Sequence, residues 1–271
     1  ARIARMTGQV TAHDALPPGK TVWEHCLGTG VAPNPQYYNS FNPTLREVLA
    51  RPPRRILELG CSAGKLGEFI REKYPEAHHT GIEMNPEAAA LARTRLARVI
   101  EARLEDIDFA AEGIAPGSID TFIAGDVLEH LYDPWRALQR VRPLLADDAQ
   151  VAVSVPNVRN LGLLAELHDG GTWKYTPAGL LDVTHIRFFT IKDLFRMLEE
   201  TGYAPAKVKM NLDARYEALF NANRGKPSVS IQVGRVRLEN LAEPELLEYC
   251  TLQFVVLAHP KPRAANDPSA A

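Results

Sequence analysis

The sequence predicts an α/β fold, doubly wound around a mostly parallel sheet, and three observations predict it. The stretch ILELGCSAGKLGEFI, residues 56–70, joins an apolar run, a glycine-rich turn and an amphipathic segment, which reads as strand, turn and helix. HTGIEMNPEAAALA, residues 79–92, repeats that order, with Asn85 as N-cap and Pro86 at the first helical position. The alternation continues through SIDTFIAGD, a helix opened by Asp133 and Pro134, and AQVAVSVPN. Strands separated by helices pair in parallel.

Before the first strand, residues 1–50 are punctuated by glycine and proline and read as an N-terminal cap, with PNPQYYNSFNP leading into a short apolar helix in TLREVLA. The main domain is assigned to residues 51–260. In its first helix Leu66, Phe69, Ile70 and Tyr74 fall on one face, as a helix packed on a sheet requires. The second helix is expected over PEAAALARTRLARV, followed by VIEARLEDIDF. The helix from Pro134 is expected to run through Leu138, Val141 and Leu145. Thr190 and Asp193 give a capping-box signal for TIKDLFRMLEETGY, which Gly202 closes. The strands AKVKMNL and CTLQFVVLAHP end the fold around an insert, 211–249, that holds a helical candidate, ARYEALF, and the alternating segment SVSIQVGRVRL. Residues 261–271, rich in Ala and Pro, read as a disordered tail.

Length and charge narrow the function. At 271 residues, one core domain with insertions is the economical reading. A net charge of −2, from 31 basic and 33 acidic residues without a basic run among aromatics, argues against nucleic acid as partner. Cys26, Cys61 and Cys250 form no C-x-x-C pair, which points to reduced thiols and away from structural zinc or disulfides. With no apolar stretch of membrane-spanning length and no secretory leader, the expected location is cytoplasmic. Homo-oligomerisation is left open.

The glycines of the first turn, Gly60, Gly64 and Gly67, discriminate among ligands. A dinucleotide fingerprint needs glycine where Ser62 stands, and a P-loop needs one more residue before its Gly-Lys pair and a hydroxyl where Leu66 follows Lys65. What remains is an acid-x-Gly-x-Ser-x-Gly pattern from Glu58 to Gly64, followed by an acid, Glu83, at the tip of the next strand, where a carboxylate can accept from both ribose hydroxyls. The pattern resembles the first motif of the Rossmann-like S-adenosylmethionine methyltransferases, whose donor is a cation with an amino acid tail. Further along stand D-V-L-E-H-L from Asp126 to Leu131, Pro156-Asn157, and Thr184-His185-x-Arg187-Phe188-Phe189-Thr190. Together they resemble a bacterial subgroup of class I methyltransferases associated with glycan and natural-product pathways.

The resemblance implies seven strands in the order 3-2-1-4-5-7-6, S-adenosylmethionine as cofactor and a small-molecule acceptor. It implies cofactor contacts at Glu58, Gly60, Cys61, Ser62, Gly64, Glu83, Met84, Leu104, Glu105, Asp126 and Val127. Relatives read adenine with an acid after the third strand; here Arg103 stands in that stretch, so the reader is Glu105, Asp106 or the backbone at Leu104. If DVLEHL is helical, Asp126 and His130 share a face. Methylation of a hydroxyl needs a base and methylation of an amine does not. His185 is the first candidate and His130 the second, since imidazole titrates near working pH. Tyr37, Tyr38, Asn157, Tyr175 and Arg187 are the candidate acceptor contacts. Asp182 and His185 have metal-ligand spacing but no third partner, so no metal is expected. The acceptor class expected is a sugar or similar polar metabolite; the alternative is a cofactor-binding partner without catalysis, suggested by Arg103.

Overall fold

A computed structural model describes Thr21 and residues 40–262. Tyr37, Tyr38 and Cys26, most of the cap segment and nearly all of the tail lie outside the described residues. The first half of the fold runs α1 (Thr44–Val48), β1 (Arg55–Leu59), α2 (Lys65–Lys73), β2 (His78–Glu83), α3 (Pro86–Ala92), β3 (Arg98–Glu101) and β4 (Ile119–Gly125). The second half runs α4 (Pro134–Val141), β5 (Leu145–Pro156), α5 (Leu161–Gly170), α6 (Ile191–Glu200), β6 (Tyr203–Leu212), α7 (Glu217–Asn223), β7 (Val229–Val233), β8 (Val236–Leu241), α8 (Glu243–Cys250) and β9 (Thr251–Pro260).

The main sheet has seven strands ordered β3-β2-β1-β4-β5-β9-β6. All neighbours are parallel except β9, which runs against both β5 and β6. Because the hairpin β7–β8 takes two strand numbers, β9 is the seventh strand of the sheet, and the expected order holds. β1 is buried on both faces from Ile56 to Leu59, which is why three of those four residues are aliphatic and Glu58 is the exception. Leu57 and Leu59 enter the core under α4 and α6 with Phe122, Leu138, Val141, Leu194 and Tyr203, while Ile56 faces the opposite core with Leu66, Ile70 and Val255. Among the described residues no helix is long and apolar enough to cross a membrane.

Several boundaries differ from the sequence expectation. α3 stops at Ala92, where the Thr94 hydroxyl donates to the Leu91 carbonyl at 2.7 Å and the chain turns to drop Leu96 into the space over Gly67. A Cβ at Gly67 would lie 2.1 Å from Leu96 Cδ2, so this turn needs a glycine opposite it. α4 ends at Val141, before Pro143, and Leu145 opens β5 instead of closing the helix. DVLEHL is not an α-helix. Asp126 is left-handed, at φ +52°, and only Leu128–His130 form a short 3₁₀ turn, so Asp126 and His130 do not share a helix face.

Between β6 and β9 the chain builds a small unit with its own core of Phe220, Val229, Ile231, Leu241, Leu246 and Cys250, seated on Leu161 of α5. Neither α5 nor α8 was anticipated. Asn160 caps α5 by accepting from Gly162 and Leu163, and α8 has Pro244 in its first turn and the Glu245 carboxylate on the Ala242 N–H. Asp213 joins this unit to the sheet. Its carboxylate accepts from Arg215 Nη2 at 2.7 Å, from the Arg215 backbone at 3.0 Å and from Asn160 Nδ2 at 3.2 Å.

The Arg215 hydrogen bond holds the Asp213 carboxyl below its usual range. A depressed carboxyl stabilises the fold at pH values above its unfolded pKa and loses that contribution as pH falls through the folded one. Asp213→Asn is expected to lower unfolding free energy by about 2 kcal/mol at pH 7. Urea melts at stepwise lower pH should show the gap between wild type and variant closing below the ordinary carboxylate range; a gap independent of pH would refute the charge origin.

Candidate active site

The carboxyl ends of β1, β2, β4 and β5 meet along one edge, where open parallel sheets hold their ligands. At its centre the Gly60 and Cys61 N–H groups donate to the Ile82 carbonyl at 2.9 and 3.1 Å, which binds the turn to β2. Gly60 has φ +68°, and a Cβ there would lie 2.7 Å from Val127 Cγ2, so the turn fits under the β4 loop only as glycine. Ser62 is left-handed too, at φ +47°. Glu83 holds this geometry: Oε2 accepts from Ser62 N at 2.9 Å and Oε1 from Asn85 N at 2.8 Å. A carboxylate has about four acceptor sites, and these bonds use two, leaving capacity for a ligand's hydroxyls.

Gly64 caps α2 in the left-handed region, and Met84 stands exposed beside Glu83. Cys61 is buried against Gly81, and burial, with the charges of Glu58 and Glu83, pushes its thiol pKa up, so it is a packing residue and not a nucleophile. Glu58 needs a correction. Its carboxylate is 4% exposed and lies 2.7 Å from His79 Nε2, under the turn. The contact is close but poorly directed, since neither atom meets the angles of a hydrogen bond. His79 also lines a cavity of about 160 Å³ beside α2, on the core side of that helix. Glu58 therefore supports the turn from below.

After β3, Leu104 is buried in the main core and its carbonyl accepts from Arg140 Nε at 3.1 Å, so its side chain is structural. Glu105 is exposed and pairs with Arg103, whose side chain is 66% exposed. Arg103 points to solvent and does not obstruct the edge, which removes the reason for supposing a cofactor binder without catalysis. Asp126 sits at the tip of β4, its Oδ1 accepting from Ser154 Oγ at 2.9 Å and from Gln253 Nε2. Burial raises its pKa. A left-handed non-glycine residue at a strand tip is a local strain of the kind found at functional sites.

Next to Asp126, three side chains come together. One ligand atom each from Glu129, His130 and His185 lie within 4.8 Å of one another, and the two imidazoles meet edge to face with centroids 4.6 Å apart. The backbones of DVLEHL and THIRFF meet at the carbonyl Glu129 O, which accepts from Ile186 N at 2.9 Å and Arg187 N at 3.0 Å. His185 Nδ1 donates to the Leu180 carbonyl at 3.1 Å, which leaves Nε2 as the lone-pair nitrogen, 3.9 Å from Glu129 Oε1. The Thr184 hydroxyl donates to Asp182 Oδ1 at 2.6 Å and so accepts from His130 Nδ1 at 2.9 Å. That leaves Nε2 as the lone pair of His130 as well. Burial first, then His185, lowers the pKa of His130; burial first, then Asp126, pushes the Glu129 carboxyl well above its usual range.

Of the candidate acceptor contacts, Asn157 is corrected: it is fully buried, its amide donating to the Glu248 and Thr251 carbonyls at 2.7 and 2.9 Å, a joint between β5 and β9. Arg187 is also structural, donating to the Ile186 and Tyr132 carbonyls and lying over the Tyr132 ring. Tyr175 is half-exposed in the loop before Asp182. Beyond that loop opens a cavity of about 880 Å³, walled by α5, the loop and the insert, with Glu166, Thr172, Lys174, Leu180 and Arg215 among its lining residues. Sequence reasoning missed Glu129, Asp182 as a support for His130, Ser154 and Gln253. The D-x-T-H spacing carried a signal for the second; Gln253 had none, being distant in sequence and brought to Asp126 only by the antiparallel β9.

The sequence model of the family described as "Methyltransferase domain" matches residues 36–208. The chain belongs to that family. A ubiquinone biosynthesis O-methyltransferase of Aeromonas salmonicida is 30% identical over 187 residues, 62% of this chain and 76% of that enzyme. A malonyl-[acyl-carrier protein] O-methyltransferase of Geobacter sulfurreducens is 28% identical over 161 residues, and the match spans only 58% of its length. The solved S-adenosylmethionine-dependent methyltransferase of Mesorhizobium loti shares the fold, with TM-score 0.52 at 16% identity over 80% of this chain and 96% of that one. This is a class I S-adenosylmethionine-dependent methyltransferase, and S-adenosylmethionine is its cofactor. The residues at the sheet edge fit that molecule: Glu83 retains acceptor capacity for its ribose, and the turn at Gly60 presents backbone without side chain.

If Glu58 is a support and not a ligand, removing it should cost stability through His79. Glu58→Ala is expected to lower unfolding free energy by about 2 kcal/mol, the order of cost of leaving a buried polar group without its partner. A double-mutant cycle with His79→Ala, read by denaturant unfolding, should give a coupling above about 1 kcal/mol; additive losses would mean that the pair does not interact.

Proposed function

We propose that this methyltransferase transfers its methyl group to a hydroxyl oxygen of a small polar acceptor, a sugar or related glycan or natural-product intermediate, seated in the 880 Å³ cavity. One observation carries the reading. His185, the lone-pair base, has its Nδ1 hydrogen on Leu180 O, Leu180 lines the cavity, and Nε2 turns the other way, toward Glu129. A base fixed in this tautomer, one residue removed from an acceptor-sized space, suits a hydroxyl, which is a weak nucleophile until it loses its proton, whereas a neutral amine attacks without that help. The named oxygen specificity of the Aeromonas and Geobacter relatives supports oxygen here. The polar heads of Glu166, Thr172 and Lys174 around the cavity suit a hydroxyl-rich molecule.

S-adenosylmethionine, when bound, supplies a methyl group on an already activated sulfonium carbon, so the protein contributes position and proton removal. Glu83 accepts from the ribose hydroxyls. The Gly60–Ser62 backbone and Asp126 face the amino acid end, with Met84 and the Leu104 backbone beside adenine. His185 takes the acceptor proton on Nε2, and the Leu180 carbonyl stabilises the imidazolium that forms. His130 is the reserve base, held by Thr184 and Asp182.

Calorimetric titration with S-adenosylhomocysteine should show Glu83→Ala losing at least about 50-fold in affinity, the worth of its charged hydrogen bonds. Unchanged affinity would remove Glu83 from the ribose. His185→Ala should retain that affinity yet slow transfer of labelled methyl to a hydroxylated acceptor by about 10²–10⁴-fold. Equal rates in variant and wild type would place the base elsewhere.

A further inference from the structure

Glu129 is buried to 1% exposure, and neither carboxylate oxygen has a hydrogen-bond partner among the described residues. A buried carboxyl with both oxygens unmatched is uncommon, and a bound ion is one of the things that account for it. His185 Nε2, a lone-pair nitrogen, stands 3.9 Å from it, and a ring nitrogen of His130 lies within 4.8 Å of both. Their other nitrogens are committed to supports, His185 to the Leu180 carbonyl and His130 through the Thr184 hydroxyl to Asp182. Histidines that bind metals are held in this way, with the second nitrogen tied to a carbonyl or to a chain ending in a carboxylate, so that orientation and tautomer are set in advance.

We propose that Glu129, His130 and His185 bind one divalent transition-metal ion. Their ligand atoms lie within 4.8 Å of one another, and His185 Nε2 is 3.9 Å from Glu129 Oε1. Tetrahedral ligands about 2.0–2.1 Å from an ion are about 3.3 Å apart, so small side-chain rotations close the site. Two imidazoles and one carboxylate suit zinc, iron or nickel better than magnesium, which prefers oxygen ligands and gives up its water reluctantly. Three protein ligands leave a position open, and a hydroxyl oxygen bound there would give up its proton more readily, to solvent and not to His185, because the ion occupies the lone pair that takes the proton in the metal-free reading. The purpose of the ion rests on the methyl-transfer reading above; its binding does not. The sequence suggested no metal because it offered only Asp182 with His185. In the fold Asp182 stands behind Thr184, and Glu129 and His130 supply the missing ligands.

The test is a titration of the whole chain, stripped by dialysis against chelator, with zinc chloride in a calorimeter and with cobalt chloride followed by visible absorption. One tight equivalent of zinc is expected, with a cobalt spectrum of low coordination number. Glu129→Gln, His130→Asn and His185→Asn should each weaken zinc binding by about 100-fold or more. His168→Asn, on an exposed histidine of α5 outside the cluster, should leave it unchanged. Thermal melts show which variants are folded, and the cobalt spectrum of the wild type tests the site without any variant. No bound zinc in the wild type, or full affinity in the folded cluster variants, overturns the proposal. If zinc fails to bind while His185→Ala still slows methyl transfer, the metal is refuted and the reaction stands. If zinc binds but no acceptor is methylated, the site stands and the reaction does not.

Discussion

The backbone junction of the site is one carbonyl oxygen, that of Glu129. It accepts from two successive backbone N–H groups, those of Ile186 and Arg187, and so joins the loop after β4 to a segment more than fifty positions away in sequence. Because both donors sit on one oxygen, the loops cannot slide past each other without losing two buried hydrogen bonds. His130 follows Glu129 and His185 precedes Ile186, so the same junction sets the imidazole-to-imidazole distance. Leu180, Thr184 and Asp182 then fix the rings. The position of both candidate bases thus follows from backbone pairing, which a substitution of exposed side chains would hardly disturb.

Strain is concentrated on the same edge. Ser62 and Asp126, two of the three non-glycine residues with left-handed backbone among the described residues, lie on the turn after β1 and at the tip of β4, neighbouring strands of the sheet. Each is held by specific bonds, Ser62 by the Glu83 carboxylate and Asp126 by Ser154 and Gln253. The rigid parallel sheet is what makes such local cost tolerable, since β1 and β4 are buried on both faces and cannot relax toward a less strained path.

Where a local signal existed, the sequence was readable. The Asn85 and Thr190 caps and the glycine turn were all visible, because each is made within a few residues of chain. Strand order followed from the motif resemblance and not from periodicity, because pairing of β9 between β5 and β6 leaves no local trace. The same limit explains the misplaced side chains. Asn157 and Glu58 are polar residues at strand ends, which sequence alone assigns to ligands; their partners, Thr251 and His79, come from neighbouring strands. Glu129 was hidden for the opposite reason. It lies between two residues that drew notice, and only burial shows its carboxyl to be without a partner.

The charge balance of the edge favours transfer. The donor is a cation that becomes neutral at sulfur when the methyl leaves, so a fixed negative charge close to the sulfonium would stabilise the reactant more than the transition state and slow the step. Three acids, Asp126, Glu129 and Asp182, lie near the histidines. Burial raises the pKa of the first two, and the Thr184 hydroxyl donates to Asp182. Loaded with a divalent ion, Glu129 would ionise, but its charge would be more than offset by the metal. In the proposed arrangement the acid given to the cofactor's ribose, Glu83, has backbone N–H groups on both oxygens. On that arrangement the acid whose oxygens are matched serves the donor, and the acids whose ionisation burial opposes stand beside the proposed base.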